Sequence, residues 1–372
     1  MTPQTSPPPD NYPSWLPLLK KPYDQLFSGK SAWDLRDPDG RPMHIERGGP
    51  GLNNCIFRVR LNGDLFSCKL FVADERQRAY REWAALQALH AAGLALAPAP
   101  VAYAPAGPLP QPVVVYRWVE GAPLGGGTMT DDELARLVTS LSLMHRTPPA
   151  PAVAMLTAWH QPASYAAYLD EIRSFVGRVR DWANGPRAAA NDLPGWIADL
   201  PARMPLLEET LEQAEVLAAG KNGASAYPVP ALVRVDGNLD NVLHDASGAL
   251  YFVDWEYSGL GDPAYDLAEL RWHPRNRGVS QGQWEAALAA YRPHPADTTF
   301  QARLAVYSRL LPAWWVGRSA IHLLQGAGQL GGSKRLVAVP ERLYRSVRAQ
   351  LDGYLAALGL IEPPEGESRE EE

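Results

Sequence analysis

Two runs of alternating apolar and polar residues early in the chain predict a β-hairpin. They cover residues 55–61 and 64–71 and flank an Asn-Gly dipeptide, the strongest short-range signal for a two-residue hairpin turn. Such a turn determines the strand register, so we expect Ile56 to lie opposite Lys69 on the more polar face of the hairpin. The other face is almost wholly apolar and needs a covering layer.

The segments around the hairpin complete a predicted first lobe. Residues 1–40 are rich in Pro and Trp, and we interpret them as an arm whose aromatic side chains cover the apolar face of the hairpin. Helical spacing over residues 74–92 predicts a helix capped by Asp74 and ended by Gly93. A further apolar strand at 113–121 is predicted to be the edge strand of the sheet, and its end the hinge to a second lobe.

The rest of the chain has helical periodicity. Thr130 and Glu133 have the spacing of a capping box, which predicts a helix start there. Further helices are predicted over residues 165–183, 206–219, 283–291, 301–324 and 340–358. We therefore predict an α+β protein with a sheet-containing lobe at residues 41–120 and a larger helical lobe at 121–362. The acidic residues 363–372 are expected to be a disordered tail.

A polar loop between two short apolar strands interrupts the helical lobe. The first strand leads into Asp236, Asn241 follows in the loop, and Asp254 ends the second strand. A site for phosphoryl transfer needs such a set. One carboxylate accepts the proton of the attacking hydroxyl, while an amide and a second carboxylate bind magnesium on the nucleotide phosphates. For each Asp taken singly, a surface β-turn is the simpler interpretation.

The polar face of the hairpin carries complementary candidates. A Gly-rich turn that includes Gly49 and Gly51 precedes Ile56 and Lys69. In this order, the backbone of the turn would cover the phosphates of a nucleotide and Ile56 would pack on its adenine. The Lys69 ammonium would point at the phosphates. Glu82, beside the apolar stripe of the following helix, could pair with Lys69. An ordinary turn, a solvated lysine and a solvated glutamate are the alternatives at this point.

Charge and composition narrow the class of partner. The chain has 372 residues, 46% of them hydrophobic, which is enough for a substantial core. A net charge of −6 and the lack of a dense Lys/Arg run argue against nucleic-acid binding and favour a small-molecule partner. No signal peptide or membrane-spanning run is evident, so we expect a soluble cytoplasmic protein. Cys55 and Cys68 are predicted to be buried thiols.

Two other kinds of site do not fit the central loop. Its first residues mimic a calcium-binding loop, but Asn241 and Ser247 occupy the positions where an EF-hand needs Gly and Glu. A serine hydrolase is poorly supported, because the chain has no G-x-S-x-G elbow.

The whole ordered set resembles the aminoglycoside phosphotransferase and choline kinase-like family, whose members are relatives of protein kinases. The set comprises the Gly-rich turn, Lys69, Glu82, Asp236 with Asn241, and Asp254 followed by Gly-Asp-Pro-Ala-Tyr-Asp-Leu-Ala. The resemblance implies a protein kinase-like bilobal fold, with a small antiparallel β-sheet N-lobe carrying one main helix and a larger, mostly helical C-lobe. It also implies ATP or GTP with Mg²⁺. The acceptor would be a hydroxyl of a small molecule such as an aminoglycoside, a choline-like amino-alcohol or a sugar.

The resemblance assigns roles to individual residues. Asp236 would be the catalytic base, and Asn241 and Asp254 the magnesium ligands. Lys69, supported by Glu82, would bind the nucleotide phosphates. The other residues expected to contact the nucleotide are Gly49, Gly51 and Ile56, together with the backbone of Arg117, Trp118 and Val119 at the adenine.

The acceptor is expected between the central loop and the later helices. Candidate lining residues are Trp255, Glu256, Asp262, Glu269, Trp272, Trp314 and Trp315. Acidic residues would suit a polycationic aminoglycoside, whereas an aromatic cluster would suit a quaternary ammonium through cation–π contacts. Asp262 and Asp266 also match an acidic pair of the family, and we interpret them as structural residues that cap a helix N-terminus.

Two departures from the family pattern surround the predicted base. Arg234 occupies the position where the family usually has His, and Gly237 follows Asp236 where Leu is usual. Arg234 could instead donate to the strand of Asp254 or to a carbonyl of the loop. A pseudokinase that binds nucleotide without turnover is therefore the alternative to an active kinase.

Overall fold

The computed structural model describes most of the chain. The described residues are 12–26, 28–48, 54–105, 109–125, 129–149, 153–161, 164–189, 193–219, 229–331 and 341–362. Gly49, Gly51 and the acidic tail lie outside them, so their assignments stay predictions. None of the helices in the described ranges has the length and hydropathy that a membrane crossing requires.

Within the described residues, the first lobe contains a six-stranded antiparallel sheet. Its strands are β1 (Ala32–Arg36), β2 (Pro42–Arg47), β3 (Asn54–Leu61), β4 (Asp64–Phe71), β5 (Pro100–Ala104) and β6 (Val113–Arg117), in the order β1-β2-β3-β4-β6-β5. The predicted edge position of 113–121 is wrong, because β6 is an inner strand and β5 lies outside it. The Pro/Ala-rich sequence of β5 lacks a strand pattern, but an edge strand tolerates proline since one side of its backbone needs no partner.

The hairpin of β3 and β4 has the predicted register. Ile56 lies opposite Lys69, and the turn residues Asn62 and Gly63 have φ values of 53° and 85°. Positive φ at both central residues is the geometry of the type I′ turn, which matches the twist of the strands. The side chains are therefore distributed over the two faces as predicted. Both cysteines are buried, free thiols, which confirms the prediction for them.

The N-terminal segment covers the apolar face of this sheet. A 3₁₀ turn, Leu16–Leu19, and helix α1 (Lys20–Asp24) precede the strands, and the rings of Trp15 and Phe66 lie 5.6 Å apart in a shared apolar cluster. Strand β1 lies within residues 1–40, so the sheet begins before the predicted lobe boundary.

Helix α2 (Arg78–Ala91) packs beside β4, β5 and β6. It begins later than predicted. The Asp74 carboxylate accepts hydrogen bonds from the Arg76 amide at 3.1 Å and from the Arg78 guanidinium at 2.8 Å, and it does not cap the helix. Gln77, with a φ of 52°, occupies the N-cap position. Gly93, with a φ of 70°, ends the helix as predicted, since glycine adopts this left-handed conformation without strain.

The second lobe is mostly helical. Its helices are α3 (Asp131–Arg146), α4 (Tyr165–Ala183), α5 (Met204–Ala218), α6 (Pro263–Trp272), α7 (Gln281–Ala289), α8 (Phe300–Gly326) and α9 (Glu341–Ala357). The helices predicted from periodicity are present, and the capping box of Thr130 and Glu133 begins α3. Helix α8 packs against α4, α5, α6 and α9 and forms the centre of this lobe.

Short strands surround the central loop at the junction of the lobes. Strands β7 (Ala122–Pro123), β9 (Val242–His244) and β10 (Leu250–Phe252) form one sheet, and β8 (Ala231–Val233) pairs with β11 (Gly259–Gly261). Strand β7 directly follows the predicted hinge. This small sheet therefore connects the hinge to the loop between β8 and β9, which carries the predicted base.

Candidate active site

Helix α6 holds the backbone of the central loop. Asp266, in its first turn, accepts hydrogen bonds from the amides of Arg234 and Val235 at 3.2 and 2.7 Å. Val235 has a φ of 59°, a conformation that a β-branched residue adopts only when its surroundings enforce it. Asp262 caps the helix by accepting a hydrogen bond from the Ala264 amide, as predicted. The acidic pair of α6 therefore shapes the loop from behind.

A buried histidine keeps Asp266 charged and in place. His145 Nε2 lies 3.0 Å from Asp266 Oδ2, and His145 Nδ1 lies 2.8 Å from the Tyr291 hydroxyl. Burial opposes ionisation of Asp266, but the hydrogen bonds from His145 and from the loop amides outweigh it and lower the pKa of this carboxyl. His145 thus has a structural role behind the loop.

Asp236 is positioned by its own loop. Its Oδ1 accepts a hydrogen bond from the Asn238 amide at 3.2 Å, and its Oδ2 accepts one from the Asn241 side chain at 3.0 Å. Burial raises the pKa of Asp236 to about 7, and Asp254 adds to this effect, whereas Arg234 opposes it. A carboxylate with a pKa near neutrality is suited to accept a proton during a reaction.

A buried lysine joins the two lobes at this loop. Lys69 Nζ lies 2.5 Å from Glu82 Oε2 and 2.7 Å from Asp254 Oδ1. The side chains of Lys69 and Glu82 are each 1% exposed. Burial alone would lower the pKa of Lys69, but the two carboxylates raise it well above its usual value, so the ammonium stays charged. The structure thus forms the pair expected between Lys69 and Glu82 and adds Asp254 to it.

Arg234 lies behind the loop, where it is buried. Its Nη2 donates to the carbonyl of Val253 at 3.1 Å, and its guanidinium lies 5.0 Å from the ring centroid of Phe252 and 5.5 Å from that of Trp255. Val253 immediately precedes Asp254. Arg234 therefore supports the strand end that carries this carboxylate, which is one of the two partners expected for it.

The close approach of α6 explains the glycine after Asp236. A Cβ atom on Gly237 would lie 2.4 Å from Leu270 Cα and 2.7 Å from its amide nitrogen, and backbone atoms cannot give way as a flexible side chain can. The Gly237 amide also donates a hydrogen bond to Glu269 on the same helix. A leucine here would push α6 away, so the departure from the family pattern has a steric cause.

The oxygen atoms at Asn241 and Asp254 fit a magnesium ion. The amide nitrogen of Asn241 donates to Asp236, and one oxygen of Asp254 accepts from Lys69. Among the described residues, the remaining side-chain oxygen of each accepts no hydrogen bond. No group of three or more His, Cys, Asp or Glu in the described ranges could hold a metal by itself. Two oxygen donors suit Mg²⁺, which takes its other ligands from phosphates and water.

A cavity of about 650 Å³ extends from these residues into the helical lobe. At its loop end the described lining includes Ile56, Asp236, Asn241, Asp254 and Glu256. At its helical end the lining includes Tyr265, Glu269, His273, Leu311, Trp314, Trp315, Arg318 and His322. The structure thus brings the predicted base and magnesium ligands together with a second, ring-rich compartment.

The predicted acceptor residues divide into two groups. Glu256, Glu269, Trp314 and Trp315 line the cavity. Trp255, Asp262 and Trp272 are not among the described residues that line it, and their assignment to the acceptor site stays a prediction.

The side chains that do not line the cavity have structural partners. Trp255 is fully buried and donates to the Phe252 carbonyl at 2.8 Å. Asp262 is fully buried and forms hydrogen bonds of 2.8 and 3.0 Å with Arg303. The Trp272 ring is partly buried and packs against the main hydrophobic core, and the backbone carbonyl of this residue accepts a hydrogen bond from the Tyr354 hydroxyl at 2.7 Å. A residue that is next to a motif in sequence can have its side chain in the core. A short irregular segment has no repeating pattern from which this orientation could be predicted.

The predicted hinge residues line a different space. Arg117, Trp118 and Val119 border a second cavity of about 520 Å³ together with Tyr251, and they do not line the first one. The Trp118 ring lies 5.0 Å from the guanidinium of Arg58, which belongs to the polar face of the hairpin. Contact between the Arg117–Val119 backbone and an adenine stays a prediction.

Several lining residues carry no sequence signal. His160 lies in an irregular segment before α4, and His273 immediately follows α6. Arg318 and Leu311 belong to α8, whose amphipathic pattern identifies a helix but not which of its turns faces a cavity. The end of α6 comes close to Asp236 only in the folded protein. The position of His273 in the sequence therefore does not indicate a role at the loop.

The sequence belongs to a known family. The sequence model described as the phosphotransferase enzyme family matches residues 44–300. This match covers more than half of the chain, so the protein is a member of this family of phosphotransferase enzymes, and the family expected from the motifs is confirmed. Among curated proteins, none is significantly similar in sequence.

Solved structures share the fold. A spectinomycin phosphotransferase in complex with ADP and spectinomycin is 13% identical, with a TM-score of 0.59 over 86% of this chain and 94% of that chain. A choline/ethanolamine kinase family protein from Mesorhizobium loti is 22% identical, with a TM-score of 0.50 over 86% and 88% of the two chains. An aminoglycoside phosphotransferase from Alicyclobacillus acidocaldarius is 16% identical, with a TM-score of 0.54 over 84% and 91%. These similarities confirm the predicted fold class.

Proposed function

We propose that this phosphotransferase is a small-molecule kinase that transfers the γ-phosphate of ATP or GTP to a hydroxyl group. The observation that carries the proposal is the joint placement of charged and polar residues from distant parts of the chain. Lys69 of the sheet lobe is held between Glu82 and Asp254, and Asp254 shares a cavity with Asp236 and Asn241. Phosphoryl transfer needs little covalent chemistry from the protein, so this placement of charges is the main requirement.

The nucleotide would be bound between the lobes. Lys69, held as a cation by two carboxylates, would contact the phosphates, and Ile56, which lines the cavity, would pack on the base. Asn241 and Asp254 would hold Mg²⁺, which when bound neutralises charge on the phosphate oxygens. Two similar structures were determined with nucleotide, the spectinomycin phosphotransferase with ADP and the same enzyme with AMP. These two complexes support a nucleotide as the phosphoryl donor.

Asp236 would accept the proton of the acceptor hydroxyl. Its Oδ2 is oriented by Asn241, and its pKa near 7 allows it to be ionised before the reaction and to hold the proton afterwards. Arg234 would keep the adjacent strand end in position, as its hydrogen bond to Val253 indicates. The residue in place of the family histidine thus supports the strand end that carries Asp254, which favours an active kinase over a pseudokinase.

The acceptor compartment favours recognition through rings rather than carboxylates. Trp314 and Trp315 lie perpendicular to each other, with ring centroids 5.0 Å apart. Glu269 is bound to the Gly237 amide, and burial raises its pKa well above the usual value. Glu256 has a hydrogen bond from Asn54. A cyclic alcohol or an amino-alcohol that packs on the two rings therefore suits the site better than a polycation held by acidic residues.

The test is ATP and GTP consumption with a panel of amino-alcohols, aminoglycosides and sugars, with product identified by mass spectrometry. Asp236→Ala is the control. If the substitution leaves turnover unchanged, Asp236 is not part of the mechanism. A thermal shift with Mg-nucleotide but no product on any acceptor would indicate the pseudokinase. The absence of any nucleotide-induced shift would count against both.

A further inference from the structure

A histidine at the end of α6 lies opposite the proposed base. His273 Nε2 is 3.7 Å from Asp236 Oδ1, and both residues line the same cavity. This distance is too long for a direct hydrogen bond. An oxygen atom of a third group can, however, lie at about 2.8 Å from both atoms at once, which is the usual length for such contacts.

The ring of His273 is held in one orientation. Its Nδ1 accepts a hydrogen bond from the Arg275 amide at 3.3 Å and so caps the short turn that follows α6. The ring of Trp315 packs against it at 5.9 Å with an interplanar angle of 89°. These two contacts direct Nε2 towards Asp236.

The same capping bond determines the tautomer. A neutral imidazole has one donor and one acceptor nitrogen, so a ring that accepts at Nδ1 carries its proton on Nε2. Burial lowers the pKa of His273 to about 3, and the nearby guanidinium groups of Arg275 and Arg234 add to this effect. The ring is therefore neutral at physiological pH and presents an N–H group to the space in front of Asp236.

We propose that His273 binds the acceptor hydroxyl together with Asp236, donating a hydrogen bond from Nε2 to the hydroxyl oxygen while Asp236 Oδ1 accepts its proton. The inference rests on the proposed kinase function. In the transfer step, a bond forms between the acceptor oxygen and the γ-phosphorus, and the bond from that phosphorus to the bridging oxygen breaks. The acceptor proton moves to Asp236, the leaving nucleotide diphosphate takes the electron pair, and His273 keeps its own proton. His273 would thus select the lone pair that faces the phosphorus and orient the nucleophile.

Two substitutions separate this role from a purely structural one. In His273→Gln the side-chain amide nitrogen replaces Nε2, so the donor towards Asp236 is retained while the capping acceptor is lost. In His273→Asn the side-chain oxygen replaces Nδ1, so the cap is retained while the donor is lost. The proposal predicts that H273N has a kcat at least about tenfold below that of H273Q, as loss of one well-placed hydrogen bond would produce. It also predicts that H273N melts at the higher temperature of the two.

Both variants are measured with the acceptor found in the panel and, in its absence, as the hydrolysis of Mg-ATP by water. Equal kcat values, or a lower kcat for H273Q, would overturn the proposal. Nitrogen NMR of the histidine ring in the wild-type protein is an independent readout. A neutral ring protonated at Nε2 at neutral pH is expected, and a ring protonated at Nδ1 or at both nitrogens would also overturn the proposal.

The outcomes distinguish this inference from the proposed function. If activity requires Asp236 but the wild-type enzyme and H273N have the same kcat, the proposed role of His273 is wrong and the kinase function stands. A wild-type protein that turns over no acceptor and no water removes the kinase, and the role of His273 with it.

Discussion

Next to the loop end of the cavity, Lys69, Glu82 and Asp254 are positioned by charge, whereas at the helical end Trp314 and Trp315 are positioned by packing. Lys69 contacts Glu82 of its own lobe at 2.5 Å and Asp254 of the other lobe at 2.7 Å. The rings instead stack on neighbours, Trp314 on Tyr168 and Trp315 on Tyr354.

The difference has a consequence for function. Contacts between buried opposite charges are strong and directional, so each residue of the loop end depends on its partners. Ring packing is less directional and tolerates changes of shape. We therefore expect substitutions at the loop end to abolish catalysis or stability, and substitutions at the helical end to change the affinity for the acceptor.

The largest effect is expected for Asp236→Asn, which keeps the shape of the side chain but removes the base. We expect kcat to fall by about 10²- to 10⁴-fold, the usual contribution of a general base. The thermal shift with Mg-nucleotide should persist, because Asp236 is not among the proposed nucleotide ligands. If the variant lost nucleotide binding as well as activity, Asp236 would also be required for the nucleotide site, and its role would not be that of a base alone.

The next largest effect is expected for Lys69→Met, which leaves Glu82 buried without its cation. Removing one partner of a buried pair costs about 3–5 kcal/mol of unfolding free energy. Burial raises the pKa of Glu82 to about 7 even though Lys69 opposes this effect, so removal of Lys69 should raise it further. The loss of stability from this carboxyl should therefore be small at acid pH, should grow as pH rises above its unfolded pKa, and should level off above its folded pKa.

Chemical denaturation of Lys69→Met between acid and neutral pH measures this dependence. The double variant Lys69→Met/Glu82→Gln is the control, because it removes the carboxylate as well. It should be more stable than the single variant at neutral pH and should lack the added pH dependence. Identical curves for the two variants would contradict the buried-pair account.

A smaller effect is expected for Arg234→Met, which fills the space between Phe252 and Trp255 but removes a positive charge. Arg234 lowers the pKa of Asp236, so its removal should raise that pKa. The base must be ionised, and the acid limb of kcat/KM should therefore move to higher pH, by about one unit for an interaction of about 1.4 kcal/mol. A shift to lower pH, or none, would show that Arg234 acts only through the Val253 carbonyl.

The smallest effect is expected for Trp314→Phe at the helical end. The change keeps a ring but removes the hydrogen bond of 2.8 Å from its Nε1 to Glu171. We expect KM for the acceptor to rise by about three- to tenfold with little change in KM for ATP, because the smaller ring offers less apolar surface to the acceptor and is no longer held by Glu171. Trp284→Phe is the matched control, because Trp284 is buried in α7 and does not line the cavity. Equal effects of both changes would indicate general destabilisation.

The local features of the chain were predictable. The Asn-Gly turn determined the register of β3 and β4, because a two-residue loop permits one pairing only. Periodicity identified the helices of the second lobe, and Thr130 and Glu133 marked the start of α3. The order and spacing of the residues that phosphoryl transfer needs led to the family that the comparison confirms.

Errors occurred where composition hid a strand or where neighbours in sequence separate in space. The Pro/Ala-rich β5 has no strand pattern, and so the edge of the sheet was misplaced. Trp255 directly follows Asp254 in sequence, yet its ring is fully buried in the core, whereas Asp262 caps a helix as expected. Each choice depends on what packs against the segment.

The sequence by itself determined the two kinds of lobe, the hairpin register and the order of Lys69, Glu82, Asp236, Asn241 and Asp254. Those follow from turn length, residue periodicity and chemical type, which act over a few neighbouring residues. Only the tertiary structure decided that Arg234 supports Val253, that Gly237 makes room for α6, and that His273 faces Asp236. These contacts join segments far apart in the chain, and packing in three dimensions is what selects them.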